Sequence, residues 1–174
     1  LAATRSLSRP VPGIAFTTAN YVARETGWSM YGWEHGDRAT QEHFRKLDTY
    51  GERLDEILAR IRTLGFDTSD LWGAHLAPDW ATDEHLAIAR EALVGHDLRV
   101  ATYATWITPA NVERACELAR GIGTSLIGAG FSGEPEALAP VMREHGVRLA
   151  VENHPERSPR DVLARLPAHQ RPDP

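Results

Sequence analysis

The chain has 174 residues, of which 42% are apolar and 25% are charged, and its formal net charge is −5. This composition is typical of a water-soluble globular domain and excludes collagen-like, mucin-like and largely disordered chains. The negative net charge gives no broad positive field for a phosphate backbone, so we expect no nucleic-acid partner.

The hydrophobic pattern alternates between short strand-like runs and helical spacing, which is typical of βα units. A first strand is predicted over residues 13–18, followed by a long loop over residues 19–50. This loop carries an aromatic and polar mixture that suits a lid over a binding site. The residues of this mixture are Trp28, Trp33, Glu34 and His35.

Two regular helix–strand pairs follow the long loop. Apolar residues at helical spacing from Leu54 to Leu64 predict a helix that ends at Gly65, with a strand over residues 66–72. Thr82 is the expected N-cap of the next helix, whose buried stripe runs to Leu93, and a third strand is predicted over residues 98–103.

The same alternation continues towards the C-terminus. Thr108 and Pro109 predict the start of a helix that runs to Ile122, followed by a fourth strand over residues 125–129. Pro135 opens the next helix, which ends at Gly146 and leads into a fifth strand over residues 147–151. A last helix is predicted from Ser158, whose capping pattern with Asp161 needs no functional explanation.

Five strands separated by helices predict an α/β fold of consecutive βα repeats. Such repeats build either an open doubly wound sheet or an eight-stranded TIM barrel, and a barrel takes about 250 residues, so five strands cannot close one. We expect residues 1–174 to form a single domain, with flexible segments at residues 1–12 and 167–174.

Further patterns limit the location and the chemistry of the protein. Cys116 is the only cysteine, which excludes an intrachain disulfide and suits a cytoplasmic location. No apolar run approaches the roughly 20 residues that cross a bilayer, so we expect no membrane span. Gly121-Ile122-Gly123 and Gly128-Ala129-Gly130 give no dinucleotide fingerprint, and a phosphate cradle at Ser125 or Gly130 is only weakly indicated. Histidines such as His85 lack metal-ligand spacing, and we expect them at the surface.

Two segments resemble the sugar phosphate isomerase/epimerase family, the xylose isomerase-like TIM barrels. One runs from Leu64-Gly65-Phe66-Asp67 through Asp70-Leu71-Trp72 to His75; the other is the strand that ends in Glu152-Asn153-His154-Pro155. The resemblance implies a partial barrel with about five of the eight units. It also implies divalent-metal-assisted proton transfer on a small sugar or sugar phosphate, with Mn, Mg, Co or Zn as the metal.

The resemblance also assigns roles to individual residues. Alternation along the fifth strand points Glu152 into the barrel at its C-terminal mouth, where the family has a metal ligand that also takes part in proton transfer. His154 is the second predicted catalytic residue. His75, Asp70 and Trp106 are the predicted substrate-binding residues, and Trp106 suits the apolar face of a sugar ring.

The resemblance implies that the remaining ligands of the family, an Asp with a nearby His, another His and a second Glu, come from three later strands. No apolar run follows Leu166, so we expect an incomplete site, as in an N-terminal fragment. Two alternatives stay open. The chain could be a non-catalytic half-barrel that associates with another copy to cover its open edges. It could also be an endonuclease IV-like DNA-repair relative, which the acidic charge disfavours.

Overall fold

The computed structural model describes residues 13–153 and 157–165. Five parallel strands form one sheet in which the spatial order equals the chain order. They are β1 (Phe16–Thr17), β2 (Thr68–Trp72), β3 (Arg99–Ala104), β4 (Leu126–Ala129) and β5 (Arg148–Val151). Within the described residues β1 and β5 are edge strands and the sheet is not closed. The predicted α/β fold of about five βα units is confirmed.

Helices connect successive strands, as parallel pairing requires. They are α1 (Trp33–Phe44), α2 (Leu47–Thr63), α3 (Asp83–Gly95), α4 (Val112–Gly121), α5 (Pro135–Glu144) and α6 (Pro159–Arg165). Pro135 occupies the first turn of α5, and Gly146 after its end has a φ of +64°. Both ends of that helix therefore lie where the proline and the glycine predicted them.

The long loop predicted over residues 19–50 is wrong, because it contains α1, the start of α2 and short 3-10 turns. The buried stripe of α1 consists of Gly36, Thr40 and Phe44, so only one large apolar residue marks it. A Cβ on Gly36 would lie 2.8 Å from Cγ2 of Val22, and the Thr40 hydroxyl donates to the Gly36 carbonyl at 2.8 Å. Because the buried residues of this helix are mostly small or polar, the hydrophobic pattern of the sequence does not predict it.

The main core lies between the sheet and its helices. Leu58 and Ile61 of α2 are fully buried there with Leu71, Tyr103 and Ile127 of the strands. Residues that alternate with these along the strands face the opposite side of the sheet, which we call the open face. The sheet therefore separates a packed helical side from a face that is free to carry polar side chains.

A bulge between β2 and β3 sets which residues share each face. Ser69 pairs with Val100 and Asp70 pairs with Thr102, so Ala101 is an extra residue on β3. Because of this extra residue, Val100 and Tyr103 both pack in the core while Thr102 stays beside Asp70 on the open face. Simple alternation along residues 98–103 does not predict this arrangement.

Helix starts explain two differences from the sequence pattern. Thr82 caps α3 as predicted, but His85 completes the capping box and is only 3% exposed, so the expectation that it lies at the surface is wrong. Helix α4 begins at Val112 after Asn111, and not at Thr108 and Pro109. Asn111 Oδ1 accepts a hydrogen bond from the Thr108 amide at 2.8 Å, which closes a turn before the helix.

Two expectations concern the chain ends and membrane insertion. Residues 1–12 and 167–174, which the sequence predicts to be flexible, lie outside the described residues. Among the helices of residues 13–153 and 157–165, none combines the length and the apolar character that a bilayer span needs.

Candidate functional site

The open face carries polar side chains within β2 and β3 and directly after β5. Chemistry in βα-repeat folds concentrates at the carboxyl ends of the strands, because the strand termini and the loops after them converge there. Asp70 belongs to β2, Thr102 to β3 and Gly128 to β4, and Glu152 follows β5 directly. These four residues form the candidate site.

Asp70 is a half-buried carboxyl on this face. Burial raises its pKa; a hydrogen bond with Thr17 partly offsets this rise, and the negative charge of Glu152 adds to it. Its Oδ1 atom is buried and has no hydrogen-bond partner among the described residues. A buried carboxylate oxygen without a hydrogen-bond partner is uncommon in folded proteins. Such an oxygen is a candidate to bind a ligand or a proton.

Glu152 lies where the alternation along β5 predicts it. Leu149 and Val151 pack against the core, whereas Ala150 and Glu152 are exposed on the other side. The Glu152 amide donates to the Ala129 carbonyl at 2.9 Å, which extends the pairing with β4 by one residue. This backbone bond fixes the start of the Glu152 side chain at the rim of the sheet.

The Glu152 side chain turns back over β4 towards Thr102. A Cβ on Gly128 would lie 3.1 Å from Glu152 Oε1 and 3.1 Å from Thr102 Cγ2. Only the missing side chain of Gly128 therefore lets the carboxylate lie this low over the sheet. The position brings its charge within reach of Asp70 across β3, which is why Glu152 raises the pKa of Asp70.

The donor set of the pair decides which metal ions it suits. Two carboxylates are hard oxygen donors, which fit Mg²⁺ or Mn²⁺ better than a softer ion, and Mg²⁺ is often held by one or two carboxylates plus water. Within residues 13–153 and 157–165, no group of three or more His, Cys, Asp or Glu side chains is placed to hold a metal ion. By donor type alone, the Asp70 and Glu152 carboxylates suit a hard divalent cation such as Mg²⁺.

Trp106 follows β3 at the same end of the sheet and is 44% exposed. Its ring lies over Gly130, where a Cβ would come within 2.7 Å of Trp106 Cε3. The indole Nε1 donates to the Ser132 hydroxyl at 3.1 Å. A partly exposed aromatic ring with a fixed orientation suits contact with the C–H face of a ring-shaped ligand.

His75 lies in the 3-10 turn Gly73–His75 after β2 and is 1% exposed. Its Nδ1 is 3.0 Å from the Thr18 hydroxyl, and its ring makes edge contacts with Phe44 and Trp72. Burial lowers its pKa to about 3, with smaller contributions from the positive charges of Arg24 and His43. Within this structure the ring is a neutral, internal group behind the open face.

The start of α1 packs against the end of β2, the strand that carries Asp70. Trp33, the first residue of α1, packs on Trp72 of β2 with ring centroids 5.3 Å apart, and it keeps half of its own surface exposed. The aromatic segment predicted as a lid therefore contacts the end of β2 through a helix start. His154, the second predicted catalytic residue, lies outside the described residues.

Sequence reasoning missed the two glycines and Thr102. Gly128 and Gly130 occupy alternate positions at the end of β4, and their missing side chains make room for Glu152 and Trp106. The signal was present, because Gly-x-Gly in a strand places two positions without a Cβ on one face. It indicates packing space here, and the weakly indicated phosphate cradle at Ser125 or Gly130 stays a prediction.

Comparisons with known proteins add little to this geometry. Neither a protein-family profile nor a curated protein matches the sequence. Among solved structures, the chain is similar to the crystal structure of an uncharacterised protein from Parabacteroides distasonis, with 16% identity and a TM-score of 0.49. The match covers 61% of this chain and 50% of that one, so this chain spans about half of that protein's length. Only the chain's own residues indicate a function.

Proposed function

We propose that the open face is part of a sugar phosphate isomerase or epimerase site that moves a proton with the help of a divalent cation. The observation that carries the proposal is that Asp70 on β2 and Glu152 just after β5 lie on one face of the sheet, where the charge of Glu152 contributes to the raised pKa of Asp70. Two carboxylates on one face of a βα-repeat sheet suit both cation binding and general acid–base chemistry.

Asp70 and Glu152 have different roles in this proposal, because one is half-buried and the other is exposed. Asp70 is half-buried and its pKa is raised, so it holds a proton at higher pH than an exposed aspartate does. Glu152 is exposed, so it would contact a substrate that lies on the open face. Both side chains would bind a divalent cation, and such a cation would polarise a sugar carbonyl and stabilise the negative charge left by proton removal.

Trp106 supplies the substrate contact in this proposal. Sugars present C–H groups on one face and hydroxyls at their edges, and an exposed indole ring packs well against the C–H face. The hydrogen bond to Ser132 and the close approach to Gly130 hold the ring in one orientation beside β4. Substrate would then lie between the ring and the Glu152 carboxylate.

Proton exchange with solvent tests this function without the need to know the full reaction. We expect the protein, with Mn²⁺ or Mg²⁺, to incorporate deuterium from D₂O next to the carbonyl of a small ketose or ketose phosphate, as followed by NMR. Chelation of the metal and Glu152→Gln should each abolish the exchange. Glu144→Gln, an exposed acid at the end of α5, is the matched control and should leave it unchanged.

A non-catalytic half-barrel is the second candidate, because β5 is an edge strand within residues 13–153 and 157–165. Arg148 and Ala150 of this strand are exposed, beside backbone groups that a sixth strand would pair. Uncovered edges favour association with another copy of the chain. Light scattering after size exclusion distinguishes the two: a stable homo-oligomer without deuterium exchange favours the interaction module.

A further inference from the structure

A groove lies at the opposite end of the sheet from Asp70 and Glu152. It is formed by the starts of β2 and β3 and by the C-terminal parts of α3 and α4, and it encloses about 620 Å³. This volume lies in the range of about 300–1,000 Å³ that is usual for small-molecule sites. Its position at the amino ends of the strands separates it from the carboxylate pair.

Three arginines line the groove: Arg90 from α3, Arg99 from β3 and Arg120 from α4. The Arg99 guanidinium lies 3.3 Å from Asp67 and donates to the Thr68 hydroxyl at 2.9 Å, so that side chain is already held. Among the described residues, neither Arg90 nor Arg120 has an ion-pair partner. Two positive charges therefore line this groove without a carboxylate beside them.

Local sequence explains why these two charges are not neutralised. The residues three and four positions from Arg90 along α3 are Leu86, Ala87, Leu93 and Val94, none of them acidic. On α4 the acid three positions before Arg120 is Glu117, but its carboxylate accepts a hydrogen bond from Arg114 at 2.7 Å. Neither arginine has a free acid at helical spacing.

Helix-dipole stabilisation accounts for one of the three arginines only. Arg120 lies in the last turn of α4, where a positive charge is favourable. Arg90 lies before the last turn of α3, and Arg99 begins a strand. The helix dipole therefore does not account for all three positive charges at the groove.

The rest of the groove is apolar. Leu93, Val100 and Ile122 form a buried floor, and Val94 at the rim is 81% exposed. A guanidinium group is planar and positively charged, and it donates two parallel N–H hydrogen bonds to the oxygens of a phosphate. A largely buried apolar floor with exposed arginines around it matches a ligand that carries both a phosphate and a less polar part.

We propose that this groove binds a small organic phosphate, such as a nucleoside monophosphate. The phosphate contacts the guanidinium groups of Arg90 and Arg120, and the apolar part lies on the floor formed by Leu93, Val100 and Ile122. This binding is independent of the carboxylate pair at the other end of the sheet.

Calorimetry with adenosine monophosphate and with inorganic phosphate tests the proposal. Adenosine monophosphate should bind more tightly than inorganic phosphate, because only the nucleotide contacts the floor. Arg90→Ala and Arg120→Ala should each weaken its binding about tenfold, as expected for the loss of a charge-assisted hydrogen bond. Arg38→Ala removes an exposed arginine from α1 and should leave the affinity unchanged.

Three results would overturn the proposal: no binding of the nucleotide, equal affinity for nucleotide and phosphate, or equal losses in Arg38→Ala and the groove variants. Tighter binding of an oligonucleotide than of the mononucleotide would also overturn it, in favour of a nucleic-acid surface. Thermal unfolding of Arg90→Ala should match that of the unmodified protein, because Arg90 does not end a helix. Asp70→Asn should leave nucleotide affinity unchanged, which separates this site from the proposed active site.

Discussion

The Glu152 carboxylate lies over Gly128, so that a Cβ at position 128 would be 3.1 Å from Glu152 Oε1. The same atom would lie 3.1 Å from Cγ2 of Thr102, which is a stiff β-branched side chain. We expect Gly128→Ala to move the Glu152 carboxylate by a few tenths of an ångström and to weaken divalent-cation binding several-fold. Mn²⁺ titration of both proteins measures the change.

Gly95→Ala provides the matched control for that substitution. Gly95 ends α3, and a Cβ there would contact nothing within 4 Å. Alanine is a better helix former than glycine by about 1 kcal/mol, so this variant should be equally or more stable. If Gly128→Ala binds Mn²⁺ as tightly as Gly95→Ala, Gly128 does not set the position of a functional carboxylate.

Gly130→Ala should displace the ring of Trp106. The added Cβ would lie within 2.7 Å of Cε3, so the indole must turn and lose its hydrogen bond to Ser132. We expect altered near-ultraviolet circular dichroism and weaker sugar binding, with a loss of unfolding free energy of about 1 kcal/mol from the hydrogen bond. Ser132→Ala removes that bond without a clash at the ring, so its loss of sugar affinity should be smaller. Unchanged sugar affinity in Gly130→Ala would contradict a role for the ring position.

The charge of Glu152 should be measurable at Asp70. Burial raises the pKa of Asp70 and the Glu152 charge raises it further, so Glu152→Gln should lower this pKa. Carboxyl ¹³C NMR titration follows it directly, with Glu144→Gln as the control that leaves it unchanged. Equal Asp70 titration curves in the unmodified protein and Glu152→Gln would show that the two carboxylates do not interact.

Asp70 should also cost stability at neutral pH. When a carboxyl has a higher pKa in the folded chain than in the unfolded chain, its ionisation above the folded-state pKa lowers the free energy of unfolding. This loss disappears at acid pH, where the carboxyl is protonated in both the folded and the unfolded chain. We therefore expect Asp70→Asn to raise the unfolding midpoint near pH 7 and to have no effect at acid pH. A lower midpoint in this variant at neutral pH would show that Asp70 is a stabilising structural group.

Much of the fold was predictable because large apolar residues mark it. The stripe from Leu54 to Ile61 places α2, and Pro135 and Gly146 delimit α5. Helix α1 escaped prediction because Gly36 and Thr40 pack closely without large side chains. Small residues at a helix interface give no periodic pattern of large apolar residues in the sequence. The formation of such a helix therefore depends on tertiary packing, which a local pattern does not reveal.

The sequence predicted the placement of a site residue correctly only where side chains alternate between the two faces of a strand. Alternation along β5 places Glu152 on the open face, as the sequence predicts. The burial of His75 depends on Phe44 and Trp72, which come from distant elements, so no local pattern reveals it. The bulge at Ala101, which keeps Thr102 beside Asp70, likewise arises from strand pairing.

His75 should make the protein less stable as the pH falls. Burial lowers its folded-state pKa to about 3, against 6.5 for an ordinary histidine. Between these values the unfolded chain binds a proton that the folded chain does not, so His75 removes about 1.4 kcal/mol of stability per pH unit below about pH 6.5. His75→Asn cannot take up this proton. Urea unfolding between about pH 7 and pH 4 should show a shallower pH dependence for the variant, and equal slopes would contradict the burial of a neutral ring.

Mn²⁺ binding by the unmodified protein, Asp70→Asn, Glu152→Gln and Glu144→Gln is the most direct test of the proposed carboxylate site. Electron paramagnetic resonance reports free Mn²⁺, so it measures binding without any substrate. We expect one site per chain in the unmodified protein and in Glu144→Gln, and at least tenfold weaker binding in the other two variants, as loss of one charged ligand implies. Equal binding in all four proteins, or no binding in any, would contradict the assignment of Asp70 and Glu152 to a cation site.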